Sequence, residues 1–159
     1  MPKIDADTAP GRDGTAYPAP YDQPCLKRRR QQLGNAAGLT QFGVNRLELE
    51  PGVWSSQRHW HSSEDEFVWV VEGEVVLIDE NGETVLRAGD CAGFRAGEPN
   101  GHQIINRSDR LAVLLEVGSR RPADDNVVYP DIDLTYTGGE SFYRHVDGSP
   151  YEASTGRKT

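Results

Sequence analysis

His59, His61, Glu66 and His102 are the residues whose types and spacing point to chemistry. His59 and His61 stand two apart in QRHWHSSEDEF, so on an extended chain both imidazoles leave the same face, and Glu66 opens the apolar run that follows. His102 opens a later apolar run within GHQIIN. Imidazoles plus a carboxylate form a ligand set for a divalent transition metal. Iron, manganese, nickel, cobalt and zinc all accept it, whereas calcium and magnesium prefer oxygen. On an octahedral ion, four such ligands leave two adjacent positions open for water or a bidentate substrate. A structural zinc site would instead be closed and rich in Cys. The bland alternative is four polar residues with structural roles, since His-x-His in a strand also arises by chance.

Glu64 has the parity of Glu66 but lies inside the turn SSED, which makes it a rim residue and the one base candidate. Strand parity adds Gln57 to the face of the His pair, Val68 and Val70 to that of Glu66, and Asn45 near the pocket. Trp54 and Trp60 have the opposite parity and read as packing or subunit contacts. Arg46 and Arg58 also point outward, and among the arginines considered only Arg95 reaches the mouth, so a phosphate has few cations to meet there. Asn106 reads as a turn-closing residue. His145 reads as a surface or interface residue of the tail.

The elements that position these residues read as short strands. From Gln41 apolar residues alternate, with Leu47 and Leu49 on the inner face, and a strand over 53–61 carries both histidines. In FVWVVEGEVVLIDE both alternating faces are apolar, as they are in LAVLLEV at 111–117, so these strands must be covered on both sides. A homodimer that buries the second face is the simplest account. Asn81-Gly82 marks a two-residue hairpin turn. Further strands are expected over 83–86, 90–94 and 102–106, and with no long helix the pattern reads as a sandwich or barrel.

Gly52-x6-His59-x-His61-x4-Glu66-x6-Gly73 resembles the first signature motif of the cupin superfamily, G-x5-H-x-H-x3,4-E-x6-G, with one extra residue before the first His. Gly89-x5-Arg95-x-Gly97-x4-His102-x3-Asn106 resembles the second, G-x5-P-x-G-x2-H-x3-N. Here Arg95 replaces Pro and the loop before His102 is two residues longer. The resemblance runs over roughly residues 41–118. It implies an all-β double-stranded β-helix, or jelly-roll barrel, with His59, His61, Glu66 and His102 as metal ligands. The flanks resemble single-domain bacterial cupins sometimes labelled sugar-phosphate isomerase-like.

The chain of 159 residues fits one domain. An extended N-terminal arm is expected over 1–36, the barrel over 37–118 and a C-terminal arm over 119–159. Residues 1–24 show no periodicity, although YPAPY at 17–21 could dock rather than stay disordered. Residues 25–33 read as a short helical turn. The tail keeps Tyr129, Tyr136, Phe142, Tyr143 and Tyr151, enough aromatics to pack on the barrel or a partner, with the last eight residues disordered. A net charge of −8 disfavours nucleic acid and anionic membranes as partners. The basic run at 27–30 reads as a solvated cluster. With no run of about twenty apolar residues and no signal-peptide core, a soluble cytoplasmic protein is expected. Cys25 and Cys91 do not imply a disulfide framework, and Cys91 reads as a small buried hydrophobe.

Fold does not fix function. The leading expectation is a metal-dependent enzyme on a small oxygenated metabolite, sugar-phosphate isomerase-like, in which the metal polarises substrate oxygens and Glu64 moves the proton. An iron dioxygenase or a decarboxylase-type cupin is the second reading. A non-catalytic small-molecule-binding or regulatory cupin is the third.

Overall fold

The computed structural model describes residues 3–151. Twelve strands carry the described chain: β1 (Gly11–Asp13), β2 (Arg29–Gln31), β3 (Phe42–Leu49), β4 (Trp60–His61), β5 (Glu66–Glu72), β6 (Glu74–Asp79), β7 (Gly82–Arg87), β8 (Cys91–Phe94), β9 (Gln103–Ile105), β10 (Ala112–Ser119), β11 (Val127–Tyr129) and β12 (Leu134–Tyr136). One helix of a single turn, α1 (Leu33–Ala36), precedes β3. A six-stranded sheet in the order β1-β2-β3-β10-β5-β8 faces a three-stranded sheet β7-β6-β9, and the two form the jelly-roll barrel. A third sheet, β12-β11-β4, joins the tail to the strand that carries His61.

Period-two patterning sets which residues fill the barrel. β10 pairs antiparallel with both β3 and β5, placing Leu114 beside Leu47 on one side and Val70 on the other. Those three and Leu49 are fully buried, and Val75, Leu86 and Ile104 meet them from the smaller sheet. Each such side chain removed from water contributes on the order of 1.5–3 kcal/mol. The alternate residues of β5 face outward: Phe67, Trp69 and Val71 are 39%, 49% and 57% exposed in the single chain. Gly73 makes the turn from β5 to β6 at φ +83°, and a Cβ there would lie 2.8 Å from the Leu111 carbonyl oxygen. Only glycine fits that corner.

Several local expectations are corrected. Residues 53–59 are not a regular strand; they attach through isolated bridges, Trp54 to Ile105 and His59 to His102. Ser55 donates its backbone N–H to the Ile104 carbonyl at 2.8 Å and its hydroxyl oxygen accepts the Ile104 N–H at 3.1 Å, and these local bonds replace a continuous ladder. The β6–β7 hairpin pairs Asp79 with Gly82, so its turn residues are Glu80 and Asn81, one position earlier than the Asn-Gly signal indicated. Asp79 shifts the register by accepting the Asn81 amide at 2.8 Å. In place of a helical turn over 25–33, a 3₁₀ turn at Gln23–Cys25 leads into β2. Cys91 is exposed, on the outward side beside Trp69, whereas Cys25 is the buried cysteine.

Both flanks are structured. β1 and β2 extend the large sheet through pairing with β3. Tyr17 packs with Tyr129 and Tyr143 in a second apolar cluster built by the two flanks. The disorder expected for the last eight residues falls on 152–159, outside the described residues. Among the described residues, no helix is long and apolar enough to cross a membrane.

Candidate metal centre

The barrel brings His59, His61, Glu66 and His102 together. The Nε2 atoms of His59 and His61 each lie 3.5 Å from Glu66 Oε2, and that of His102 lies 3.0 Å from the same oxygen. The bridge between His59 and His102 fixes that pair across two loops, β4 places His61, and β5 presents Glu66. Ligand atoms of His59, His61 and Glu66 all lie within 4.8 Å of one another.

The hydrogen bonds behind the imidazoles determine what they offer in front. His59 Nδ1–H donates to the Gln57 carbonyl oxygen at 2.8 Å, and His61 Nδ1–H donates to Asp125 Oδ2 at 2.6 Å. A carbonyl and a carboxylate only accept, so both rings carry their proton on Nδ1 and turn an Nε2 lone pair toward Glu66. Burial pushes the His59 pKa down to about 4, which keeps that ring neutral. Burial opposes ionisation of Glu66, but in the metal-free chain the positive charge of a protonated His61 outweighs it and holds the carboxyl well below the usual carboxylate range. With both rings neutral, two lone pairs and an anionic oxygen face one another and call for a cation between them, and this donor set fits a divalent transition metal.

His102 is held differently. Its ring stacks on Phe94 with centroids 3.5 Å apart, and its Nδ1 is buried with no hydrogen-bond partner. Tyr129 stacks on His59 at 5.7 Å from the other side.

The centre opens on a cavity of about 550 Å³, whose lining includes all four residues together with Glu64, Asn45 and Val68. Glu64 stands at the rim, with Oε1 accepting the Arg121 backbone N–H at 2.6 Å, and its carboxylate groups with His61 and Asp125 within 4.8 Å. Gln57 is corrected: its amide donates to the Tyr21 carbonyl at 2.7 Å and it does not line the cavity, because parity fails where 53–59 leaves the strand conformation. Asn106 is fully buried and donates to the Leu49 and Arg110 carbonyls, closing its turn as its spacing indicates. Arg46 and Arg58 are engaged by Glu48 and by Asp131 and Glu80. His145 pairs with Asp133 in the tail.

Sequence reasoning missed Asp125, which is 1% exposed and arrives from the C-terminal flank. It also misread the run at 27–30. Arg28 is buried and Arg30 half-buried, and both line the cavity. Burial alternates along the run, with Lys27 and Arg29 exposed, but four consecutive basic residues carry no such pattern in the sequence.

Comparison with known proteins agrees with this geometry. Residues 45–118 match the family model described as Cupin domain. Over 98% of its length the chain is 44% identical to a sugar phosphate isomerase from a cupin superfamily of Silicibacter pomeroyi, covering 100% of that chain with a TM-score of 0.88. A putative sugar phosphate isomerase from Acidithiobacillus ferrooxidans is 31% identical, with 79% of this chain and 74% of that chain covered and a TM-score of 0.66. The polyketide cyclase RemF from Streptomyces resistomycificus, at 16% identity and a TM-score of 0.64 over 83% of this chain and 87% of its own, shares the fold. No curated protein matches the chain. With the motifs, the barrel and the convergent imidazoles in agreement with a full-length likeness, the chain belongs to the cupin superfamily.

Proposed function

We propose that this cupin is a metal-dependent enzyme acting on a small oxygenated metabolite, with sugar-phosphate isomerisation as the reaction it fits best. The observation that carries the reading is the convergence of two oriented imidazole lone pairs and the His102 ring on Glu66 Oε2, at the wall of a cavity of about 550 Å³. His59, His61, Glu66 and His102 would hold the ion. When bound, it supplies Lewis acidity to hydroxyl and carbonyl oxygens of the substrate. Glu64, at the rim, moves a proton between neighbouring substrate carbons, and the Arg121 amide fixes its carboxylate for that role. The likeness to the Silicibacter pomeroyi and Acidithiobacillus ferrooxidans proteins, named for sugar phosphate isomerisation, supports this substrate class.

The outward Phe67, Trp69 and Val71 support a homodimer that covers the large sheet.

The test is metal content by plasma mass spectrometry on untagged protein beside His59→Ala and His102→Ala, followed by aldose and ketose phosphates in deuterated water. The expected result is near-stoichiometric metal lost in both variants, with deuterium entering beside the substrate carbonyl at a rate reduced in Glu64→Gln. A wild-type protein that neither carries nor takes up metal overturns the reading.

A further inference from the structure

The cavity has a second charged wall, supplied by the N-terminal flank. Entering and crossing β2, the chain alternates, so Arg28 and Arg30 turn inward while Lys27 and Arg29 face solvent. Both inward guanidiniums line the same cavity as His59, His61, Glu66 and His102.

Of the two, Arg30 alone is ion-paired among the described residues. Arg30 Nε lies 2.7 Å from Glu116 Oε2 and its Nη2 donates to Oε1 at 2.8 Å, which leaves Nη1 outside the pair. Arg28 is 7% exposed; its Nε donates to the Gly14 carbonyl at 2.9 Å and its Nη1 to the Ser55 carbonyl. Those acceptors are neutral, and among the described residues Arg28 forms no ion pair. Tyr17 lies under it, with the guanidinium carbon 6.0 Å from the ring centroid. Glu116 is ion-paired with Arg30 alone, and Glu66 on the same cavity also faces Arg30, which leaves the buried Arg28 guanidinium with neutral acceptors. A buried charge without a counter-charge is costly, and a chain that keeps one gains from it only when an anion arrives.

We propose that Arg28 and Arg30 form an oxyanion subsite that takes the phosphate or carboxylate group of the substrate while its oxygenated end reaches the metal-ligand cluster. The proposal rests on the reading of this cavity as the substrate site. It also assigns a role to the N-terminal flank, which closes the cavity with the cations that the barrel strands do not provide. Glu116 holds Arg30 in place and competes with the ligand for its donors.

The test is calorimetric titration of metal-loaded full-length protein with inorganic phosphate and, separately, with malonate, repeated after chelator treatment. Arg30→Gln and Arg28→Gln should weaken the preferred anion by about 10- to 100-fold, the loss of one charge-assisted contact. Glu116→Gln should tighten it by releasing the Arg30 fork, and this opposite sign is not expected of a purely structural ion pair. Preference for phosphate or malonate identifies the anion class. Affinities unchanged in Arg30→Gln and Glu116→Gln, with circular dichroism showing both folded, or no binding of either anion by the wild type, overturn the proposal. If Arg28→Gln fails to fold, the other two variants decide. The arginine effect should persist after chelation, so absence of a metal and absence of the subsite give separate results.

Discussion

Replacing Asp125 with Asn tests how the tail supports the proposed metal centre. In the structure Oδ1 of Asp125 accepts the Ser63 backbone N–H at 2.9 Å while Oδ2 accepts His61 Nδ1–H at 2.6 Å. An amide has one oxygen, so Asn can serve only one of these donors. If it keeps Ser63, its NH₂ faces Nδ1 and drives the imidazole proton to Nε2, where a metal must bind. If it flips to serve His61, two N–H groups confront each other at Ser63. Loss of a carboxylate behind a ligating imidazole typically lowers metal affinity 10- to 100-fold, equivalent to about 1.4–2.7 kcal/mol. The assay is competition for cobalt or zinc against a chromophoric chelator on the full chain, with the melting temperature of the metal-free form as a folding control. Metal affinity within twofold of wild type in a folded Asp125→Asn variant would refute the argument that Asp125 orients His61.

Other outcomes follow from burial and backbone geometry. The His59 pKa sits near 4 in the folded chain against an ordinary 6.5, so between those values the unfolded chain binds a proton that the metal-free folded protein refuses. His59 should therefore cost the metal-free form up to about 3 kcal/mol as pH drops from about 6.5 to 4, and the slope between about pH 6.5 and 5, above the carboxylate range, should be shallower in His59→Asn, as read by urea denaturation across pH. Gly73→Ala forces a side chain into φ +83° and against the Leu111 carbonyl, and should cost about 2 kcal/mol or more; an unchanged denaturation midpoint would refute the steric account. Trp69→Glu should convert the proposed dimer to a monomer in sedimentation velocity while the metal content holds. A wild-type monomer would remove the dimer proposal.

The barrel was legible because its strands obey the simplest rule of an extended chain. Leu47, Leu49, Val68 and Val70 alternate with exposed or half-buried neighbours, and the structure buries these four. The convergence of His59, His61, Glu66 and His102 was legible because motif spacing fixes it through two bridged segments. Parity failed at Gln57 for a local reason. Ser55 ties its backbone and hydroxyl to Ile104, the ladder breaks, and alternation no longer predicts which way a side chain turns. The hairpin turn moved by one position because the Asp79 side chain, absent from a simple Asn-Gly rule, captures the Asn81 amide.

Asp125, Arg28 and Arg30 were illegible for a different reason: nothing local relates them to the histidines. Asp125 stands 64 positions beyond His61, and it arrives because β11 adds to β4, an edge two residues long that no period-two count could detect. Arg28 and Arg30 arrive because β2 extends β3, a pairing between a basic run and a strand whose outer residues already looked complete. All three lie outside residues 45–118, the part that matches the family model, whereas the likeness to the Silicibacter pomeroyi protein spans 98% of the chain. The barrel thus supplies the cluster of three imidazoles and a carboxylate, and the flanks supply Asp125 behind His61 and the two arginines on the cavity wall. The chemistry that this cavity can select is therefore set by the flanks as much as by the barrel, since Arg28, Arg30 and Tyr129 wall it beside the four motif residues.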